Sequence, residues 1–199
     1  MSNAPNLPIN LQPPGAGLPF HEQAVAKMIA RLIWPFETQT KAMERFKREA
    51  DMILELVGSI PSEQAGIPVL IKRFIGIEDS SRHWSIFMVL DHLRIVDECI
   101  AQIIKAINND HPYGKEIRIQ DVKPNINANS ASVGAFANTV ASFGKTIHQL
   151  GTLNRNLSHP HPWFGLLNAH GWLCLAGFHH RIHRRQIERI KTLLNEIQR

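Results

Sequence analysis

Cysteine is scarce: Cys99 and Cys174 are the only two in 199 residues. Two thiols do not build a disulfide scaffold, so a reduced, cytoplasmic protein is the expectation. Long apolar runs are missing as well. Stretches such as Ile86 to Leu90 fall far short of the ~20 residues that a membrane-spanning helix needs. No basic segment followed by an apolar one opens the chain, so no secretory signal is expected. The net charge is only +5, and no zinc finger, basic zipper or aromatic interleaving accompanies the cations. Nucleic-acid binding is therefore a weak reading. Neither an internal repeat nor a convincing strand pair can be found.

What is present describes an ordinary soluble domain, 44% apolar and 20% charged. Residues 1–20 hold five of the twelve prolines and no charge, and read as an extended or disordered tail. Residues 21–199 remain for one domain. Apolar residues recur there at helical spacing in four stretches. The first runs from about His21 to Val57, with Pro35 forcing a kink or break near Trp34. The second starts at N-cap candidates in Asp79-Ser80-Ser81 and continues to about Asn108. The third opens at Asn129 or Ser130 and carries Val133, Phe136, Val140, Phe143 and Ile147. The fourth follows Gly165 and Asn168 to the C-terminus. Four long amphipathic helices predict an all-α four-helix bundle. The polar connection from Asn109 to Asn129 is long enough to cover a cleft.

The fourth helix holds the chemistry. Its apolar stripe passes through Trp172, Leu175, Ala176, His179, Ile182, His183, Ile187 and Ile190. Positions 179 and 183 lie one above the other at 3.6 residues per turn, so both imidazoles can reach one point. Core histidines bonded to carbonyls would give the same pattern. On the second helix His92 is again an ionisable group on an apolar face, and in a bundle it can face the other two. Three neutral imidazoles around a divalent ion leave a coordination position open, as in catalytic zinc sites. Zinc comes first among the candidate ions, and nickel or iron accepts the same ligands. His180 is placed at the rim. Asp97 and Glu98 read as solvated, Asp91 as turned away from His92, and Cys99 as a small core thiol. The six cations from Arg181 to Arg199 mostly occupy the polar face and complement the helix dipole.

Three pieces of sequence now resemble one family. Trp84-Ser85 followed by His92-Leu93 looks like a helix-two signature. His161-Pro162-Trp163-Phe164-Gly165 looks like a loop motif, and Trp172 with His179, His183 and Gln186-Ile187 looks like a helix-four signature. Together they are similar to the DinB/YfiT-like superfamily of four-helix-bundle metalloenzymes, in particular the branch known as DUF1569. The resemblance spans roughly residues 22–198. It implies that His92, His179 and His183 occupy the metal-ligand positions, and it also implies dimerisation. His170 and Gly171 precede Trp172 where relatives tend to carry an acidic or amide residue. His161 is read as a loop residue that helps the turn into the last helix, not as a fourth ligand.

Three functions follow from these residues. A three-histidine metal can lower the pKa of bound water to ~7 for hydrolysis, or ionise a coordinated thiol. The second route matters because relatives include transferases and isomerases that use low-molecular-weight thiols. The expected partner is then a small-molecule substrate, with or without such a thiol. The alternative is a non-catalytic metal-binding or interaction module in stress response, since the bundle fold serves many roles. Nucleic-acid binding by the basic helix ranks third.

Overall fold

The computed structural model describes residues 10–197. The first nine residues of the proline-rich tail lie outside that range. Six helices follow in order: α1 (Phe20–Leu32), α2 (Gln39–Gly58), the single turn α3 (Ser62–Ala65), α4 (Ile86–Asn108), α5 (Ala131–Leu150) and α6 (Ala169–Ile197). The bundle is made by α2, α4, α5 and α6, with α2 against α6 and α4 between α5 and α6. As the proline predicts, the first helical stretch breaks: α1 gives way to a 3-10 turn at Trp34–Phe36, and α2 restarts with the Thr38 hydroxyl accepting the Lys41 N–H. No helix among the described residues is long and apolar enough to cross a membrane.

Two expectations are corrected here. The helix carrying His92 starts at Ile86, not near residue 80, because Ser85 is its cap and accepts the Met88 N–H. Asp79–Ser81 forms a separate 3-10 turn. Second, strand pairs exist. Strand β1 (Val69–Leu70) pairs antiparallel with β2 (His83–Trp84), and β3 (Ser158–His161) with β4 (Gly165–Asn168). These strands are two to four residues long, and Ser-His-Pro-His offers no alternation of apolar and polar residues to reveal one. Each pair abuts a site helix: β2 sets Trp84 just before α4, and the β3–β4 hairpin feeds α6. Gly165, with φ of +77°, closes that hairpin in a backbone region that disfavours other residues.

The longest helix, α6, is buried without interruption from Ala169 to Gly177. Gly177 marks its closest approach to α2: a Cβ there would stand 3.0 Å from the Phe46 amide nitrogen and 3.2 Å from Phe46 Cα. Backbone cannot move aside as a side-chain tip can. Replacing Gly177 by leucine should therefore cost about 1–3 kcal/mol despite the better helix propensity. A thermal melt at unchanged helical content checks this.

The stretch before α1 turns at Pro14–Gly15, where the Ala16 N–H donates to the Pro13 carbonyl, and is held down. The backbone N–H groups of Gly15 and Gly17 donate to Glu78 Oε1 at 2.9 and 3.1 Å, and Gln12 N–H donates to Asp79. Glu78 is nearly fully buried and also accepts from Lys123 Nζ at 2.6 Å and from the Ser80 hydroxyl. One carboxylate thus joins the N-terminal strap, the 78–81 turn and the long loop before α5. Within that loop, Ile119–Val122 forms a 3-10 turn.

Candidate metal centre

The three histidines converge. One ring nitrogen from each of His92, His179 and His183 lies within 4.8 Å of the others, and the ring centroids are 4.4–5.0 Å apart. His92 comes from α4 at its contact with α6. His179 and His183 are stacked one turn apart on the inner face of α6, as the i, i+4 spacing requires. Trp84 packs beside His92 at 5.1 Å and is nearly parallel to His183 at 6.2 Å.

Hydrogen bonds fix the tautomers of two rings. His92 Nδ1 lies 2.6 Å from the Val122 carbonyl oxygen, and His183 Nδ1 lies 2.7 Å from Gln186 Oε1. Both partners only accept, so both Nδ1 atoms carry the proton and both Nε2 lone pairs are left bare. Gln186 is itself oriented by donating to the Ser81 carbonyl at 2.7 Å. Such outer contacts aim a metal-binding imidazole and raise its basicity. His179 Nε2 is 3.2 Å from His92 Nε2, and its Nδ1 is buried with no partner among the described residues.

The donor set fits a divalent ion. Nitrogens at ~2.1 Å from tetrahedral zinc stand ~3.4 Å apart, close to the observed His92–His179 spacing. A proton on His179 Nε2 would satisfy one bare nitrogen, but a cation satisfies all three. The rings are also kept neutral, as ligands must be. Burial pushes His92 down to about 4 against the pull of the Val122 carbonyl. Burial, then repulsion from neighbouring rings, takes His179 and His183 well below the ordinary histidine range.

The cluster forms one end of a cavity of about 200 Å³. Leu18, Val25, Ala26 and Ile29 cover it from the strap and α1, and Val96, Cys99 and Ile100 wall it from α4. Ile117, Ile119 and Val122 belong to the long loop, which does cover this cleft. Glu22 and Glu78 also line it, but Glu22 is paired with Arg73 at 2.7 Å and Glu78 with Lys123. The cavity is thus apolar with neutralised charges.

Several residues differ from their expected places. Cys99 is half-buried on the cavity wall and not a core thiol. Burial raises its pKa, so it is held as the thiol. His180 is not at the rim: it is fully buried, with Nε2 2.8 Å from an equally buried Asp97 Oδ2. Asp97 is therefore not solvated. The signal was present, because α4 buries two faces. Leu90, Leu93, Asp97, Ile100 and Ile104 form a second stripe stepping by three and four, and Leu173, His180 and Ile187 do the same on α6 by sevens. Asp91 is engaged elsewhere as expected, by Arg94 and the Asn125 N–H. His161 does serve the turn, its Nδ1 accepting the Trp163 and Phe164 N–H groups at 3.1 and 3.4 Å. His170 is buried against the Trp34 carbonyl. Cations of the basic helix are partly tied into the fold: Arg184 binds Glu49 and Glu188, and Arg189 lies 4.3 Å over the Phe74 ring.

Comparison with known proteins agrees with this architecture. No curated protein matches the chain. A crystal structure described as TT2238, a four-helix bundle protein, superposes with a TM-score of 0.51 at 18% identity, covering 76% of this chain and 98% of that one. At that identity the likeness concerns the fold alone. The family model described as the DinB superfamily matches residues 45–187, a span that contains all three clustered histidines and Gln186. With that much of its length matched, the chain belongs to the DinB superfamily.

Proposed function

We propose that this chain is a metal-dependent enzyme in which His92, His179 and His183 hold one divalent transition ion, zinc first, and that it hydrolyses a small, largely apolar molecule. The observation that carries this reading is the convergence of three neutral imidazoles on the lining of a largely apolar cavity. A divalent ion there would supply Lewis acidity next to bound substrate, with a position left open by the three ligands. The chain's own residues do the rest. Val122 and Gln186 orient two ligands, Trp84 backs them, and the aliphatic wall keeps bulk water away. Hydrolysis is preferred over thiol transfer because the cavity's cationic side chain, Lys123, is already paired with Glu78, leaving no free side-chain cation for the carboxylates of an anionic thiol cosubstrate. Glu22 and Glu78 are both tied up, so neither is assigned as a general base.

Metal content by plasma mass spectrometry tests the reading. Tag-free wild type incubated with zinc or nickel should hold about one equivalent, and His183→Ala should hold none. Gln186→Ala should keep the fold but bind the ion about 10–100-fold more weakly, since His183 loses its orienting acceptor. Wild-type protein that takes up neither ion would make the three histidines core residues and leave the non-catalytic module as the better account. A turnover assay with and without added thiol then separates the two chemistries.

A further inference from the structure

Two polar groups that line the cavity are used neither by the metal cluster nor by an ion pair: the Trp172 indole N–H, buried without a partner among the described residues, and the His161 ring. His161 lines the cavity, with its ring 5.1 Å from Phe164 and 5.5 Å from Trp172. It is not one of the three converging ligands. Its Nδ1 accepts two backbone N–H groups of the hairpin turn. A nitrogen that accepts carries no proton, so the neutral ring must hold its proton on Nε2. No described residue accepts from that Nε2–H, which stays within reach of solvent. The hairpin thus fixes His161 as a hydrogen-bond donor at the wall of a largely apolar space whose charged groups are paired with one another.

Each ligand class meets this wall differently. In the metal-free cavity a carboxylate or phosphate would be desolvated with no unpaired cationic side chain to receive it, which is costly. A pure hydrocarbon would match the aliphatic wall but leave the Nε2–H unpaired. A neutral molecule with one acceptor oxygen satisfies both. Size sets a further limit. An apolar cavity of ~150 Å³ holds one benzene, so by proportion about 200 Å³ encloses roughly eight non-hydrogen atoms.

We infer that the cavity selects uncharged, largely apolar carbonyl compounds, with the carbonyl oxygen accepting from His161 Nε2–H. This rests on the proposed function only in taking the cavity as the substrate site, and it names the substrate class.

The test uses full-length, metal-free protein and tryptophan fluorescence, since Trp163 and Trp172 line the cavity. The probes are heptan-2-one, its isostere 2-methylhept-1-ene with a methylene in place of the oxygen, and heptanoate. His161→Asn keeps a side-chain oxygen to accept the turn N–H groups, as asparagine does in such turns, but cannot present the Nε2–H. The variant should bind the ketone about tenfold more weakly and the alkene unchanged. In wild type alone, nitrogen-15 NMR should show the His161 Nε2–H proton moving downfield with the ketone and not with the alkene, a reading that does not depend on the variant folding. Absence of ketone binding to wild type, equal weakening of both probes, or heptanoate binding as tightly as the ketone would overturn the inference. Metal uptake is measured separately. Protein that binds the ketone through His161 but takes up no metal would refute the enzyme reading alone, and metal-loaded protein indifferent to the ketone would refute this one alone.

Discussion

Acidifying the metal-free protein from pH 6.5 towards pH 4 should collapse its stability far more steeply than carboxylate chemistry alone would. Four buried or sheltered imidazoles lie behind this. His92 is pushed down to about 4 and His161 to about 3, both by burial, and His179 and His183 also fall well below their ordinary value. In the unfolded chain each titrates near 6.5. A histidine with a depressed folded pKa stabilises the fold in full above the unfolded value, and that contribution drains away as pH falls towards the folded one. Between roughly pH 6 and 4 the unfolded state therefore binds more protons than the native one, and each extra proton adds about 1.4 kcal/mol per pH unit to the slope. The native pairs of Glu22 and Glu78 add to the loss only lower, since both carboxylates are held below their ordinary range. Urea denaturation at several pH values reads the slope directly. A midpoint that stays constant from pH 6.5 to 5 would show that these rings are hydrated in the native state. Saturating zinc should move the acid transition to lower pH, because the ion competes with protons for the same nitrogens.

Removing one member of the Asp97–His180 pair should cost about 3–5 kcal/mol, whichever member is taken. Both side chains are fully buried, and Asp97 Oδ1 and His180 Nδ1 have no other partner among the described residues. Burial already drives the Asp97 carboxyl upward, with His180 opposing. Asp97→Ala would leave His180 without its acceptor between the rings of Phe46 and Phe136, 4.5 and 5.4 Å away. His180→Ala would leave a carboxyl group in a dry contact between α4 and α6. The informative variant is the double one, Asp97→Leu with His180→Phe. It should recover most of the lost stability, because an apolar pair of similar volume needs no partner. Chemical denaturation of the two single variants and the double variant measures the coupling. If each single change costs under 1 kcal/mol, water or relaxation reaches the pair and the argument fails.

The residues that could be read from sequence were those whose periodicity had one meaning. Four amphipathic stripes announced four bundle helices, Pro35 announced the break at Trp34, and the step from His179 to His183 announced two rings on one face. What stayed hidden depended on partners far along the chain. Asp97 and His180 sit on second apolar stripes that the sequence does carry, through Leu90, Leu93, Ile100 and Ile104 on α4 and Leu173 and Ile187 on α6, but that the two polar residues bond to each other shows only in the fold. The β1–β2 and β3–β4 pairs are too short to show a period. Residues 10–18 carry no charge and hold two prolines and two glycines, the composition of a loose tail, yet they are fastened through backbone N–H groups whose acceptor, Glu78, lies more than sixty residues away. Gln186 was visible as part of a motif, but its role as the acceptor that sets the His183 tautomer required coordinates.

The cavity has two origins in the chain. The histidine cluster lies inside the span shared with the superfamily, residues 45–187, whereas Leu18, Val25, Ala26 and Ile29, which roof the cavity, lie before it. The strap and α1 are joined to the body by a few discrete fasteners, chiefly Glu78 with two glycine N–H groups and Glu22 with Arg73. The candidate metal ligands and part of the cavity's roof thereby lie in separable passages of the sequence. Substitutions at positions 18, 25 and 29 can redraw that part of the roof, and so the shape of the cavity, while the three nitrogens beneath keep their arrangement.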